Sequence, residues 1–357
     1  MKRLINATAT SLVAATLVAI LSLALVAGFT GCKKNEGKTL YLYNWTYYTP
    51  DSVIQKFEKE YGVKVVYDDY ASNEDMYAKL KAGGTGYDIV IPSGDYVSIM
   101  KSQSMLEKID LSKIPNAKYI RGETLQKATY DPKMEYSVPY YMGAAGIAVN
   151  KEKVPEFTES WNIFARKDLA GRMSMMDDMR EVLGDALAYL HYSVNTTNQA
   201  ELDKAYALVN SQWKPNLVKF DAEGFAKSFA SGEFWVVQGY AEAVYAEVPP
   251  AMKDKVAFFI PKNEGGPMYI DSMCIPKGAK NIELAHKFIN FILRPDIYAE
   301  FLDTFGFPST IHTQAGSLQK VKPYYTADSL VNCELKADLG AGLEQYNQIW
   351  QKIRFTE

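Results

Sequence analysis

The stretch from residue 40 to residue 92 alternates two periodicities, and that alternation restricts the fold more than any other feature of the chain. Residues 40–43 ("LYLY") read as a strand. Pro50 opens a helix at a favoured first position, with Val53, Ile54, Phe57 and Tyr61 on one stripe and Gly62 as its stop. "VKVVYD" (63–68) is a second strand, Asn73 caps a short helix "EDMYAKLKA" that ends at Gly83, and "YDIVIP" (87–92) is a third strand, apolar through its centre. Strand–helix–strand–helix–strand predicts an α/β chain with a parallel, doubly wound sheet. Ligands of such sheets bind beyond the carboxyl ends of the strands. Trp45, Thr46 and Tyr48 follow the first strand, and Ser93, Asp95 and Tyr96 follow the third, so two loops converge on one crevice. The competing reading is that Trp45 and Tyr48 only cover a helix end.

The same α/β style continues with longer helices. Helices are expected over 181–192, 202–213 and 281–295, the last stopped by Pro295, and again over 342–354; strands are expected over 234–240, 256–261 and 268–276. A chain of 357 residues has room for two domains or one large one. Ahead of all this, Lys2 and Arg3 precede a mostly apolar run over 12–29 that ends in "FTGC" and turns polar at once. That is the layout of a secretory leader. Its small residues before Cys32 resemble a bacterial lipoprotein signal, which implies cleavage after residue 31 and acylation of Cys32; an ordinary leader or an uncleaved anchor helix is the alternative. Without Lys2 and Arg3 the balance is 37 basic against 42 acidic residues, and no basic run exceeds Lys33-Lys34, so nucleic-acid binding has no electrostatic footprint. Cys274 and Cys333 are read as unpaired, and His191, His286 and His312 show no metal-ligand spacing.

Several acids and several rings remain to be explained. Asp178 and Glu181 open a helix three residues apart, which suits a capping box and also suits two carboxylates facing a cleft. Tyr269 and Asp271 are two apart on a strand and therefore share a face; Tyr240 and Glu242 repeat the pairing at the end of another strand. Aromatic faces attract cations, carboxylates accept hydrogen bonds from ammonium groups, and flat rings bury methylenes. Trp45, Tyr48, Tyr96, Tyr240 and Tyr269 with Asp95, Asp178, Glu181 and Asp271 therefore point to a flexible methylene chain that ends in ammonium groups. "GGTG" (83–86) lacks the Lys-Ser/Thr of a phosphate loop, and none of the three histidines has a nucleophile for a neighbour.

At these residues the chain resembles the spermidine/putrescine-binding proteins of ABC importers. "LYLYNWTYY", "SNEDMYAKLKAGGTGYDIVIPS", "DDMREV" and "INFILRPD" match that family's pattern in order, from about residue 39 to the C-terminus. The resemblance implies a two-lobed, hinged periplasmic-binding-protein fold of type II, each lobe a doubly wound sheet flanked by helices. It divides the chain into a leader (1–31), a tether (32–38), lobe 1 (39–142 plus 269–310) and lobe 2 (146–263 plus 320–357), with crossovers at 143–148, 262–270 and 308–322. It puts Trp45, Thr46, Tyr48 and Ser93 on the first lobe's rim, Asp178 and Glu181 on the second, and Asp271 in mid-cleft against an amine. Tyr240 and Tyr269 fall where Trp is common, and Phe307 where Tyr can occur. Two positions depart from the pattern: Asp95 replaces an aromatic found in some members, and Lys336 falls near a position that can be a neutral amide. The implied protein is a monomeric, lipid-anchored periplasmic receptor without cofactor or catalysis, whose partners are a polyamine and a membrane permease. Rival readings are a ferric-ion or sugar binder, a polyamine sensor and, further off, a glycoside-hydrolase-like enzyme with paired carboxylates.

Overall fold

The structure, a computed structural model, describes residues 39–355 apart from 47, 71 and 85. The leader, the tether and Cys32 lie outside the described residues. Two mixed sheets carry the fold. The first is built from β1 (Thr39–Trp45), β2 (Lys64–Tyr70), β3 (Ile89–Val90), β4 (Ser137–Ala144), β10 (Pro267–Cys274) and β11 (Glu334–Leu335), in the order β11-β10-β3-β1-β2 with β4 on the other side of β10. The second runs β7-β6-β8-β5-β9, from β5 (Gly146–Asn150), β6 (Met173–Met175), β7 (Leu217–Phe220), β8 (Val236–Gly239) and β9 (Val256–Phe259).

The opening βαβαβ unit forms as its periodicity requires. β1 pairs in parallel with β2, from Thr39 beside Lys64 to Trp45 beside Tyr70, and with β3 through Leu42 and Tyr43. Helix α1 (Asp51–Tyr61) ends at Gly62, whose φ of 61° is the left-handed conformation that glycine adopts without a Cβ penalty. Phe57 on its buried stripe meets the edges of Phe288 and Phe291, with ring centroids 5.0 and 5.3 Å away. Those rings belong to α7 (Ile282–Ile292), so the stripe is spent on the core of the first sheet.

Four local expectations change. Neither sheet is purely parallel: β10 runs antiparallel to β3 and β4, and β5 runs antiparallel to β8 and β9. Local patterning gives strand spacing but not the direction of a partner that arrives from far along the chain. Pro295 does not stop a helix; it is the first residue of α8 (Pro295–Phe305), where its missing N–H costs nothing. Ser72, not Asn73, caps α2 (Asn73–Lys81) by accepting from the Asp75 N–H at 3.1 Å. The helix expected over 202–213 is α5 (Gln199–Leu208), followed by one widened turn at Val209–Trp213. Cys274 and Cys333 are both free and buried, as expected of small hydrophobes.

Each sheet has its own packing. Trp161, Leu183, Trp213 and Trp350 sit in the core of the second sheet, covered by α4 (Met179–Tyr189), α5 and the C-terminal α9 (Leu343–Phe355). The chain passes from the first sheet to the second at Ala145, returns between β9 and β10, and passes a third time between α8 and α9.

Candidate functional site

Asp271 lies in the middle of β10 and is only 4% exposed. Its neighbour across the sheet is the residue after β3: Ser93 forms a bridge to Asp271, and the Ser272 N–H donates to Pro92 O at 3.0 Å. Ser93 occupies the N-cap position of α3 (Gly94–Ser102), yet its hydroxyl caps nothing. It donates instead to Asp271 Oδ1 at 2.6 Å, while Asn73 Nδ2 donates to Ser93 Oγ and Asn73 Oδ1 accepts the Ser93 N–H, each at 3.1 Å. The short cap at Ser72 is what frees Asn73 for this. Burial pushes the Asp271 carboxyl up to about 7; the Ser93 and Tyr48 hydroxyls and the Lys336 ammonium hold it from going further. The Tyr48 hydroxyl is buried and has no partner of hydrogen-bonding geometry.

The rings close round this acid. Tyr269, two residues before Asp271, lies over Gly143 on β4, where an added Cβ would stand 2.6 Å from the Tyr269 hydroxyl, so only glycine leaves room for that ring. Tyr240, at the end of β8, meets Tyr269 edge to face at 5.9 Å. Tyr48 packs edge-on against Tyr140 at 5.2 Å and Phe307 at 6.3 Å. Phe307 is fully buried and stacked on Tyr141 at 4.0 Å, so it forms the wall behind Tyr48. Trp45 is half-buried at the carboxyl end of β1, its ring 4.9 Å from Tyr70 and its indole N–H donating to Ile91 O at 3.0 Å. Thr46 is exposed beside it and its N–H donates to Tyr70 O.

The second sheet brings acids within charge reach of the first: Glu181, Asp178 and Asp271 all bear on the Tyr240 hydroxyl. Asp178 caps α4 by accepting from the N–H groups of Arg180 and Glu181 at 2.8 and 3.1 Å. Glu181 does not reach back to complete a capping box. It is 1% exposed, and its Oε1 accepts from Lys336 Nζ at 2.5 Å while Oε2 has no hydrogen-bond partner. Burial raises the Glu181 carboxyl, opposed by the charge of Lys336. One turn on, Asp185 accepts from Gln238 through Oδ2 and leaves Oδ1 unpartnered; burial, then the charge of Glu181, drives its carboxyl well up. Burial also raises Asp95, at the start of α3, against the pull of Lys336 and Arg180. Asp95 and Lys336 line a cavity of about 650 Å³ together with Tyr130, Asn195 and Met268.

Tyr96 is not part of this group. One residue along α3 turns its side chain about 100° from Asp95, and its ring packs on Tyr77 at 5.8 Å with Glu74 alongside. Glu242 belongs to the group although only its pairing with Tyr240 pointed to it. It lies in the first turn of α6 (Ala241–Glu247), and burial, then the charge of Asp271, pushes its carboxyl up to about 7. Tyr141 and Tyr325 join their hydroxyls at 2.8 Å, and Glu242 bears on both. From the chain alone Tyr141 and Tyr325 stand out only as members of the tyrosine pairs 140–141 and 324–325, phenolate ligands under a ferric-ion reading, because their meeting is set by two crossings of the chain. Chemically the site is a set of buried and half-buried carboxylates beside ring faces, with an unpartnered oxygen on Glu181 and on Asp185, which suits ammonium groups joined by methylenes.

Residues 52–327 match the family model of the bacterial extracellular solute-binding proteins. The chain is 38% identical over 339 residues to the spermidine/putrescine-binding periplasmic protein of Escherichia coli, covering 93% of this chain and 96% of that one. It is 34% identical over 310 residues to the putrescine-binding periplasmic protein SpuD of Pseudomonas aeruginosa, covering 82% and 83%. Among solved structures, the TpPotD lipoprotein of Treponema pallidum superposes with a TM-score of 0.88 at 63% identity, over 89% of this chain and all of that one.

Proposed function

Because the chain belongs to the bacterial extracellular solute-binding proteins, we propose that it is the receptor of an ABC importer that captures a polyamine, spermidine or putrescine, in the hollow between its sheets. The observation that carries the reading is Asp271: a buried carboxyl held by a serine hydroxyl, with Tyr269 and Tyr240 beside it. An ammonium arriving there meets a carboxylate in a low-dielectric site, where the attraction is strong, and the methylenes beyond it lie on ring faces. Trp45, Thr46, Tyr48, Ser93 and Asp95 act from the first sheet, and Asp178, Glu181 and Tyr240 from the second, with Phe307 as backing. The three passages of chain between the sheets serve as the hinge, and closure desolvates the amines against the acids. The closed form docks on the permease. Acylated Cys32 tethers the protein in the periplasm, and the protein works as a monomeric receptor without catalysis.

Two of the tyrosine pairs that would supply phenolates under a ferric-ion reading, 140–141 and 324–325, make other contacts: Tyr140 donates to Tyr48 O at 2.6 Å, Tyr141 and Tyr325 join their hydroxyls, and Tyr324 stacks on Tyr245 at 3.8 Å. Calorimetry with spermidine, putrescine, ferric citrate and maltose tests the reading. Saturable heat with either polyamine and none with iron or maltose is expected; the reverse pattern sinks it. Membrane retention of a Cys32→Ala variant equal to that of the parent removes the lipid tether.

A further inference from the structure

Lys336 is a cation that the acidic end of the cleft already possesses, bonded directly to Glu181. It follows β11, and its backbone is clamped: its N–H donates to Met268 O at 3.0 Å, the next N–H donates to Asn195 Oδ1 at 2.9 Å, and Asn195 Nδ2 donates to Leu335 O at 2.9 Å. Arg180 ties the same segment from the other side by donating to Ala337 O at 3.1 Å and Asn195 Oδ1 at 2.8 Å. The side chain is therefore delivered by a fixed stem and is 14% exposed. Its ammonium bonds Glu181 Oε1 and lies within charge reach of Asp178 on the second sheet and Asp95 on the first. Burial alone would lower the proton affinity of such a lysine; these three acids more than reverse that, so it remains an ammonium. An amine that joins the acids of both sheets is what a polyamine nitrogen would be in this place. Away from the lysine, Asp271 and Glu242 lie within charge reach of each other beside Tyr240 and Tyr269.

We infer that Lys336 is a built-in ammonium that fills one amine position of the cleft, so that the site selects a diamine over a triamine. This rests on the polyamine reading above. A third ligand amine directed at Glu181 would approach the lysine ammonium, and like charges a few ångströms apart in a partly desolvated site repel strongly. A diamine can set its two ammonium groups against Asp271 and Glu242 and keep clear of it.

The test is calorimetry of putrescine and spermidine against the parental protein, Lys336→Met and Lys336→Arg, with circular dichroism melts to establish that each variant folds. The parental protein is expected to bind putrescine more tightly than spermidine. Lys336→Met is expected to move the spermidine-to-putrescine affinity ratio toward spermidine by about tenfold or more, and Lys336→Arg, which keeps the charge, to leave the ratio near the parental value. A parental protein that prefers spermidine overturns the inference whether or not the variants fold, and so does a Lys336→Met ratio within about twofold of the parental one. Binding of neither polyamine by the parental protein overturns the functional reading and this inference together; binding with an unmoved ratio overturns only the inference.

Discussion

The two ends of the cleft hold their buried acids in different ways. At the first sheet, Asp271 accepts from a neutral donor, Ser93 Oγ at 2.6 Å, and feels the Lys336 charge only from a distance, so burial carries its carboxyl to about 7. At the second sheet, Glu181 is met by a full positive charge, Lys336 Nζ at 2.5 Å, on a stem locked by Asn195 and Arg180. Hydroxyls orient a carboxylate without neutralising it, so the Asp271 end awaits a charge from outside. A resident ammonium neutralises, so the Glu181 end has part of its charge supplied by the fold. The comparison teaches that a cleft lined by many acids is not equally open to cations along its length.

The hardest way to break this comparison is to remove Asp271. Asp271→Ala should weaken polyamine binding by about 2–5 kcal/mol, the loss usual when one partner of a buried charge pair is deleted. Calorimetry showing near-parental affinity would take mid-cleft recognition away from that residue. Next in size is pH. An ammonium binds the ionised carboxyl, so affinity should be high above about 7 and fall as the pH drops through 7 toward 5.5, when Asp271 and Glu242 take up protons. Stability without ligand has the opposite sign. Both acids have folded-state values raised above those of the unfolded chain, so their contribution is fully present at low pH and is lost as the pH rises through 7. Thermal melts of the ligand-free protein at pH 6 and pH 8 should show the higher midpoint at pH 6, and a polyamine should narrow that gap; an equal or reversed order would show that these two acids do not dominate.

Smaller effects sharpen the contrast. Ser93→Ala removes the hydroxyl that favours the charged form of Asp271. It should lower affinity at pH 7 by about 1 kcal/mol and move the pH midpoint of binding upward; a midpoint that stays put would mean that Ser93 only shapes the backbone. The smallest effect is expected at Tyr96. Because its ring faces Tyr77 and Glu74, Tyr96→Ala should leave affinity within about twofold of the parental value, and a tenfold loss would place the ring in the cleft after all.

Much of this was legible in the chain because it is local. Strand and helix periods, the glycine stop at Gly62 and the shared face of Tyr269 and Asp271 depend on residues a few positions apart, and side-chain direction repeats every 2 or 3.6 residues. Asp95 and Tyr96 show the limit: both follow the third strand, but one residue on a helix separates a cleft acid from a ring packed outside it. Pro295 shows another, since a proline reads equally well as the end of one helix or the start of the next.

The sequence by itself determined the α/β plan and the stock of rings and acids, because apolar periodicity and cap chemistry act within a turn or a strand. Only the tertiary structure decided which of them meet. Ser93 finds Asp271 across 178 residues and Lys336 finds Glu181 across 155, through strands whose pairing partners and directions no local pattern encodes. The charge that an acid feels is a property of that meeting, since burial and a neighbour a few ångströms away outweigh everything the residue type alone prescribes.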